Sequence, residues 1–259
     1  MDGPRLSLLF CLSALLSSCS LPTISAEAGY GQFSFSGKVG YTLAASPTTN
    51  GRNDIRSSMG FDDPEPFPYL HASAGVGPVF VSASAFKFST SGSGTLEAQF
   101  GSISAGTPIH ADMDMTSIRG SVYFFDVFDL LPLPFVSLKP GVGLDFFDIS
   151  LKADALSGAV KEDFATQAPI PILAARAAVD LGFAEAVLEG GGIKIDYQDE
   201  IDGIFLDLEG VLKFHPTSNL TLFAGYRYIN VDGSGKDDDN TYDVGLILQG
   251  WVIGGGLTF

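Results

Sequence analysis

An alternation of apolar and polar side chains over long stretches constrains this chain more than any other feature. In GIFLDLEGVLKFHP, residues 203–216, Ile204, Leu206 and Leu208 share one face, and Asp207 and Glu209 share the other. Side chains of a β-strand point to alternate faces, so the run predicts a strand whose faces meet different surroundings. Similar runs occupy residues 32–43, 135–146, 171–183 and 219–230.

The links between these runs alternate in length. Tight or proline-bearing links occur at residues 75–78, 128–134, 182–185 and 215–219. Longer polar links lie between them, at residues 46–66, 90–111, 152–168, 198–203 and 233–240. Short turns on one rim and long loops on the other are typical of outer-membrane barrels. The pattern predicts a closed antiparallel up-and-down transmembrane β-barrel of about ten strands, with both termini at the short-turn rim. Eight strands remain possible, because residues 69–88 could form one long strand.

The last strand carries a change of parity. Tyr242, Val244 and Leu246 share one face, whereas Trp251 and Phe259 share the other. One extra residue in a strand reverses the face of everything after it, so we predict a β-bulge at residues 249–250. With that bulge, Trp251 and Phe259 face the membrane. The same change of parity occurs at residues 146–147.

A soluble exported β-sandwich that binds a ligand also alternates in this way and stays an alternative. Three features favour the barrel: several runs of about ten residues or more, where soluble strands average about five or six; ionisable residues at mid-strand; and a terminal aromatic residue, Phe259. Beyond the N-terminal leader, no stretch reaches the roughly 18 apolar residues of a membrane helix. A chain of this kind crosses a bilayer only as a closed barrel.

The first 26 residues read as an export signal. Arg5 precedes the apolar run at residues 6–18, and small residues follow it. Cleavage before Cys19, as in a lipidated protein, and ordinary cleavage after Ala26 both fit the sequence. We expect a signal peptide at residues 1–26 and an outer-membrane barrel at residues 27–259. Both cysteines lie in or beside the leader, so the mature barrel contains no internal disulfide and no thiolate metal site.

Charged residues at mid-strand are predicted to line the lumen. The alternation places there Lys38, Arg119, Lys139, Asp145, Arg176, Asp180, Asp207, Glu209, Lys213, Arg227 and Asp243. The six cations and five anions nearly cancel, which favours a structural ion-pair network in a narrow barrel. The alternative is a narrow polar conduit in which Arg176 and Arg227 contact an anionic solute.

The remaining chemistry is sparse. The net charge of −16 argues against a nucleic-acid partner, because phosphate binding needs a concentrated basic face. Acidic residues concentrate at residues 61–66, 196–202 and 236–240, in or beside predicted loops, without the spacing of a calcium-binding EF-hand. His110 with Ser102 or Ser104 is conceivable as a catalytic pair, but no spacing identifies a nucleophile. We therefore expect no enzyme, no cofactor and no metal.

Several stretches together resemble small bacterial outer-membrane barrels. These are the signal peptide, residues 133–160, residues 169–183, GYRYINVDGSGKDDDN at residues 225–240, and the terminal GWVIGGGLTF. The likeness is to a family akin to outer membrane protein W, in a branch with a glycine-rich C-terminal strand, although eight strands are expected there. It implies residence in outer-membrane lipid, assembly by the barrel assembly machinery through the C-terminal strand, and a narrow channel for small, including hydrophobic, solutes. A structural or adhesive surface barrel without transport is the alternative.

Overall fold

Ten long antiparallel strands follow one another around a barrel that the last strand closes onto the first. The computed structural model describes residues 22–43, 51–130, 135–158, 160–197, 201–237 and 240–259. The wall strands are β1 (Thr23–Thr42), β3 (Glu65–Val76), β4 (Val79–Thr95), β5 (Pro108–Tyr123), β6 (Val136–Ala155), β7 (Lys161–Asp180), β8 (Ala184–Tyr197), β9 (Ile201–Phe214), β10 (Leu220–Asp237) and β11 (Asn240–Thr258). The two-residue β2 (Asn53–Asp54) pairs with β1, and a short 3-10 helix spans Val127–Leu130.

The predicted closed barrel is confirmed, with ten strands rather than eight. Residues 69–88 form two strands joined at Gly77 and Pro78, where Gly77 adopts the left-handed φ of +58° that a tight turn requires. Closure joins the ends of the described chain: the Ile24 N–H donates to the Phe259 carbonyl at 3.0 Å, and the Phe259 N–H donates back at 2.9 Å. The single closed sheet excludes the soluble sandwich of two packed sheets.

The rims differ less in loop length than predicted. Residues 51–64, which contain β2, and residues 96–107 belong to long connections, but β6 and β7 continue through most of the predicted loop at residues 152–168, with a turn at residues 156–158. Strands likewise occupy the described residues of the predicted loops at 198–203 and 233–240, of which residues 198–200 and 238–239 lie outside the described residues. Their polar composition predicts loops, yet each of their described strand residues pairs with at least one neighbouring strand. We call this end the long-loop rim.

The outer surface is apolar from the short-turn rim upward. Its exposed side chains include Leu70, Ile118, Leu144, Leu173, Leu188, Ile204, Leu212, Leu222, Trp251, Ile253, Leu257 and Phe259. This apolar belt is what the alternation in β6, β7, β9 and β10 predicts. Among the described residues, no helix is long and apolar enough to cross a membrane.

Two predictions about strand faces are wrong. Pairing of β11 with β1 runs without interruption through Ser34–Gln249 and Phe33–Gly250, so no bulge occurs there. Instead, Leu246 and Leu248 point into the barrel while Trp251 points out. The register of Phe147 opposite Ser117 is equally continuous, with Phe147 inside. The parity changes arise because the interior itself becomes apolar towards the long-loop rim.

The two faces of the first strand, β1, are exchanged relative to the prediction. Phe33, Phe35 and Val39 are buried inside the barrel, and Lys38 lies on the outer face. An apolar lumen at this height gives an alternation identical to that of a lipid-facing strand, with the faces exchanged. The interior therefore has two parts: a polar floor towards the short-turn rim and an apolar chamber above it.

Candidate functional site

The polar floor is centred on two arginines that cross the barrel interior. Arg227 on β10 donates from Nε and Nη2 to the two carboxylate oxygens of Asp207 on β9, at 3.0 and 2.6 Å. Arg119 on β5 lies 2.9 Å from Asp207 Oδ2 and 3.0 Å from Glu209 Oε2. Asp145 completes this centre, and all five side chains are nearly or completely excluded from solvent. Buried charges persist only when paired in this way.

A second layer of polar contacts surrounds this centre towards the short-turn rim. The Tyr69 hydroxyl donates to Glu209, and the Ser82 hydroxyl donates to Glu189. Lys213 Nζ lies 2.5 Å from Glu27, and Arg176 Nη2 lies 2.8 Å from Glu185. A cavity of about 20 Å³ remains among these side chains, which is room for about one water molecule. The floor therefore fills the barrel at this height.

Seven predicted lumen residues converge in the floor: Arg119, Asp145, Arg176, Asp207, Glu209, Lys213 and Arg227. Arg176 and Arg227 are occupied by protein carboxylates, so they are not poised for a solute anion. Lys139 is partly buried outside this cluster, 3.9 Å from Asp126.

Three predicted lumen residues lie elsewhere. Lys38 faces outward on β1, for the reason given above. Asp180 is exposed at the short-turn rim, where it accepts the Gly182 N–H at 2.7 Å. Asp243 has the outward parity of Trp251 and pairs with Arg52 at 2.6 Å. Above the apolar belt, outward positions tolerate charge, so charge alone does not identify the lumen.

Several floor residues were missed by the sequence analysis. Tyr69 and His71 belong to β3, whose small side chains on both faces hide its alternation, and Glu27 lies beside the predicted cleavage site. His71 Nδ1 lies 3.2 Å from Glu27. Glu189 precedes three glycines in β8. Its alternation with Val187, inside, and Leu188, outside, was the available signal.

The apolar chamber above the floor has a volume of about 450 Å³. Such a volume is within the range of about 300–1,000 Å³ typical of small-molecule sites. Tyr41, Phe164 and Tyr242 line its wall, and Phe147 and Phe205 line it nearer the floor. The Phe147 and Phe205 rings meet edge to face with centroids 5.3 Å apart. The chamber is therefore built largely from aromatic and aliphatic surface.

Residues 51–64 cover part of the mouth of the chamber. Ile55, Met59 and Phe61 are buried in the barrel. Gly60 has a φ of +78° and packs against the backbone of β4, where an added Cβ would lie 2.4 Å from the Ser93 carbonyl oxygen. Asp54 begins this segment and accepts N–H bonds from Ser57 and Arg56, both at 3.0 Å. These bonds, that of Ser57 first, lower the pKa of the Asp54 carboxyl.

The barrel wall opens beside the chamber, between β7 and β8. These strands pair only from Leu173–Gly192 to Asp180–Glu185. Beyond Leu173, the described part of β7 continues to pair with β6, and residues 193–197 of β8 pair with β9. We call the unpaired region between them the lateral opening. Residues 166–170 of β7 and Ile195 of β8 line the chamber on its two sides.

Two prolines coincide with the lateral opening. Pro171 and Pro169 lie two and four residues beyond Leu173, the last β7 residue that pairs with β8. Proline has no N–H to donate and is confined to strand edges, so this part of β7 is suited to remain unpaired on its β8 side. Leu144, which pairs with Pro171, and Ile204 on β9 flank the opening and are about half exposed on the outer surface. The lower part of the opening is thus level with the apolar belt.

The predicted catalytic pair does not assemble. His110 contacts Ser93 at 3.2 Å and Asp112 at 3.5 Å, rather than Ser102 or Ser104, on the exposed outer face of β4 and β5. Ser102 instead donates to Glu162. Within the described ranges, no group of three or more His, Cys, Asp or Glu side chains is arranged to hold a metal ion.

Comparison with known proteins places the fold. No protein-family model matches the chain, and no curated protein matches it. The outer membrane protease OmpT from Escherichia coli superposes with a TM-score of 0.56 over 92% of this chain and 96% of that chain, at 13% identity. Ail, the attachment invasion locus protein of Yersinia pestis, aligns over 92% of this chain and 98% of that chain at 15% identity, with a TM-score of only 0.37. The chain shares the ten-stranded architecture of an outer-membrane barrel, and the likeness extends to the fold alone.

Proposed function

We propose that this protein is an outer-membrane barrel that admits small apolar solutes to its chamber and releases them sideways into the membrane. The observation that carries the proposal is the lateral opening beside an apolar chamber, above a floor that is filled. Solute that enters from the long-loop rim meets the ion pairs of Arg119 and Arg227 below it. An apolar surface leads from the chamber at Ile170, through the lateral opening, to Leu144 and Ile204 on the outer surface, and this is the route that we propose for the solute.

The apolar belt supports location in a membrane. Exposed apolar side chains on neighbouring strands, such as Leu222 on β10 and Ile253 on β11, are costly in water and favourable in lipid. Many strands exceed the roughly 9–11 residues that a tilted strand needs to cross a bilayer, so they extend beyond the belt at the long-loop rim. The partners proposed with this location are outer-membrane lipid and the barrel assembly machinery, which would engage β11. The relation to outer membrane protein W stays a prediction.

A structural or adhesive surface barrel is the second candidate. The packing of Ile55, Met59 and Phe61 into the mouth favours it, because these side chains narrow the entrance to the chamber. A barrel of that kind needs no passage for solute. The two candidates differ in whether the chamber exchanges molecules with the membrane.

The test is uptake of N-phenyl-1-naphthylamine, an uncharged dye that fluoresces in lipid, by intact cells with a lipopolysaccharide outer leaflet. Expression of the barrel is expected to raise the rate of uptake. Ile170→Trp is expected to lower it, because Ile170 lines the chamber at the opening. Leu173→Trp is the matched control, since Leu173 lies three residues further along β7 and faces outward, 73% exposed.

Uptake that equals that of cells without the barrel would contradict transport and leave the structural candidate. Equal loss in both tryptophan variants would show that the effect comes from disturbance of β7 rather than from the chamber. Unboiled electrophoresis in SDS confirms that each variant is folded, because closed barrels migrate faster before heating.

A further inference from the structure

The rings of the chamber form a continuous aromatic wall. The Tyr41 ring lies 5.8 Å from Phe100 and 5.9 Å from Phe164, and Phe164 lies 6.4 Å from Tyr242, all between centroids. The interplanar angles of 46–54° leave the rings tilted rather than stacked. Tilted rings present both faces and edges to the space between them. Aromatic guests gain from such surfaces beyond the area they bury.

A second aromatic pair borders the chamber nearer the floor. Phe147 on β6 and Phe205 on β9 are almost fully buried, yet both border the chamber. Their edge-to-face contact offers one ring edge and one ring face in fixed positions. A planar aromatic guest in the chamber can contact the rings of this pair and of Phe164, whereas an aliphatic guest gains only from contact area.

Charge is almost absent from the lining. Of the described residues that border the chamber, the charged ones are Asp202 and Asp232, and both are exposed on its rim. A carboxylate or sulfonate inside would lose its hydrating water without gaining a cation, which is strongly unfavourable. The chain also carries a net charge of −16, so its field repels anions as they approach.

From this lining we infer that the chamber selects uncharged molecules built on aromatic rings and rejects anionic amphiphiles. The inference rests on the proposed function and names its substrate class. Selection for aromatic rings comes from Phe147, Phe164 and Phe205, and rejection of anions comes from the absence of a cation in the described lining. Binding of such molecules in the chamber requires no passage through the polar floor.

The experiment is displacement of N-phenyl-1-naphthylamine from the full barrel in lipid nanodiscs, with empty nanodiscs as the blank. Three competitors are compared: naphthalene, its saturated counterpart decahydronaphthalene, and the anion 2-naphthoate. Naphthalene is expected to displace the dye at about two- to tenfold lower membrane concentration than decahydronaphthalene, from the ring contacts. 2-Naphthoate is expected to be at least about tenfold weaker than naphthalene, from the desolvation of its charge.

Variants separate ring chemistry from apolar volume. Phe147→Leu with Phe164→Leu is expected to bring the ratio between naphthalene and decahydronaphthalene towards one. Phe183→Leu is the matched control, because Phe183 lies at the short-turn rim, 65% exposed, and should leave the ratio unchanged.

The outcomes distinguish the inference from the proposed function. Equal displacement by naphthalene and decahydronaphthalene, unchanged in the double variant, would overturn aromatic selection while the chamber still binds apolar solutes. Displacement by 2-naphthoate as strong as by naphthalene would overturn the rejection of anions. Dye binding no greater than to empty nanodiscs would remove the proposed function, and the inference with it.

Discussion

Arg227 and Asp207 form a two-point ion pair across neighbouring strands, with both side chains completely buried. Arg227 Nη1 also lies 3.2 Å from the Ser84 hydroxyl on the opposite wall, and its guanidinium carbon lies 5.0 Å from the centroid of the Phe86 ring. The pair therefore ties β9 and β10 to β4 through the interior. It also marks the boundary at which the lumen changes from polar to apolar.

Arg227→Leu is expected to destabilise the barrel. The substitution leaves the buried carboxylate of Asp207 with Arg119 as its remaining cation, and removal of one partner of a buried pair costs about 3–5 kcal/mol. Unfolding by urea in lipid vesicles measures the change. Lys38→Leu is the control, because Lys38 is exposed and surface changes stay within about 0.5 kcal/mol. Equal midpoints for the two variants would show that the pair contributes nothing.

The wild-type barrel is expected to carry no steady ionic current in planar bilayers, because the floor fills the lumen. Replacement of Tyr69, Arg119 and Glu209 together by alanine removes three interlocked side chains and is expected to open a conductive path. Single-channel recording gives the readout, and migration before heating in SDS verifies folding. Steady current through the unmodified protein would contradict a filled floor.

Trp251, the single tryptophan of the chain, reports on the apolar belt. It is 47% exposed on the outer surface, so lipids brominated on their acyl chains are expected to quench its fluorescence strongly. The matched control moves the indole inside: Trp251→Phe with Phe205→Trp places it at the chamber, where quenching should be weaker. Equal quenching at both positions would contradict the assignment of faces.

The mature chain is expected to retain residues 23–26. Their pairing is continuous with β11 and β3, and the Ser25 hydroxyl lies 2.7 Å from that of Ser73. Cleavage after Ala26 would remove these contacts and both hydrogen bonds between Ile24 and Phe259. The intact mass of the purified protein decides the matter. A mass that starts at Glu27 would contradict this expectation, and one that starts at a lipidated Cys19, which lies outside the described residues, would support it.

The sequence predicts most of the barrel because long strands with two unlike faces have few other folds. The alternation predicts Asp207 and Arg227 on the inner face because the outward faces of their strands carry Leu208 and Tyr226 in the apolar belt, and both charged side chains are buried. Lys38 and Asp243 were misplaced because both lie above the belt, where the outside is polar. Alternation shows that two faces differ, but it does not show which of them faces lipid. Phe33 and Phe35 belong to an apolar interior that gives the same pattern.

The lateral opening could not be predicted from the sequence. Pro169 and Pro171 indicate an edge, but the loss of pairing between β7 and β8 depends on how far each strand extends past Leu173 and Gly192. That register is set by contacts on the far sides of both strands. A local pattern therefore identifies the residues that tolerate an opening without locating the opening itself.

The interlocked charges around Arg119 and Arg227 have a consequence for the cell. A channel open at both ends would let ions and small nutrients equilibrate across the outer membrane, and every added copy would increase the permeability. In this barrel the filled floor closes the lumen, so added copies are expected to leave the ion permeability of the membrane unchanged. Under the proposed function, a cell would gain capacity for apolar solutes with each added copy without a general increase in permeability.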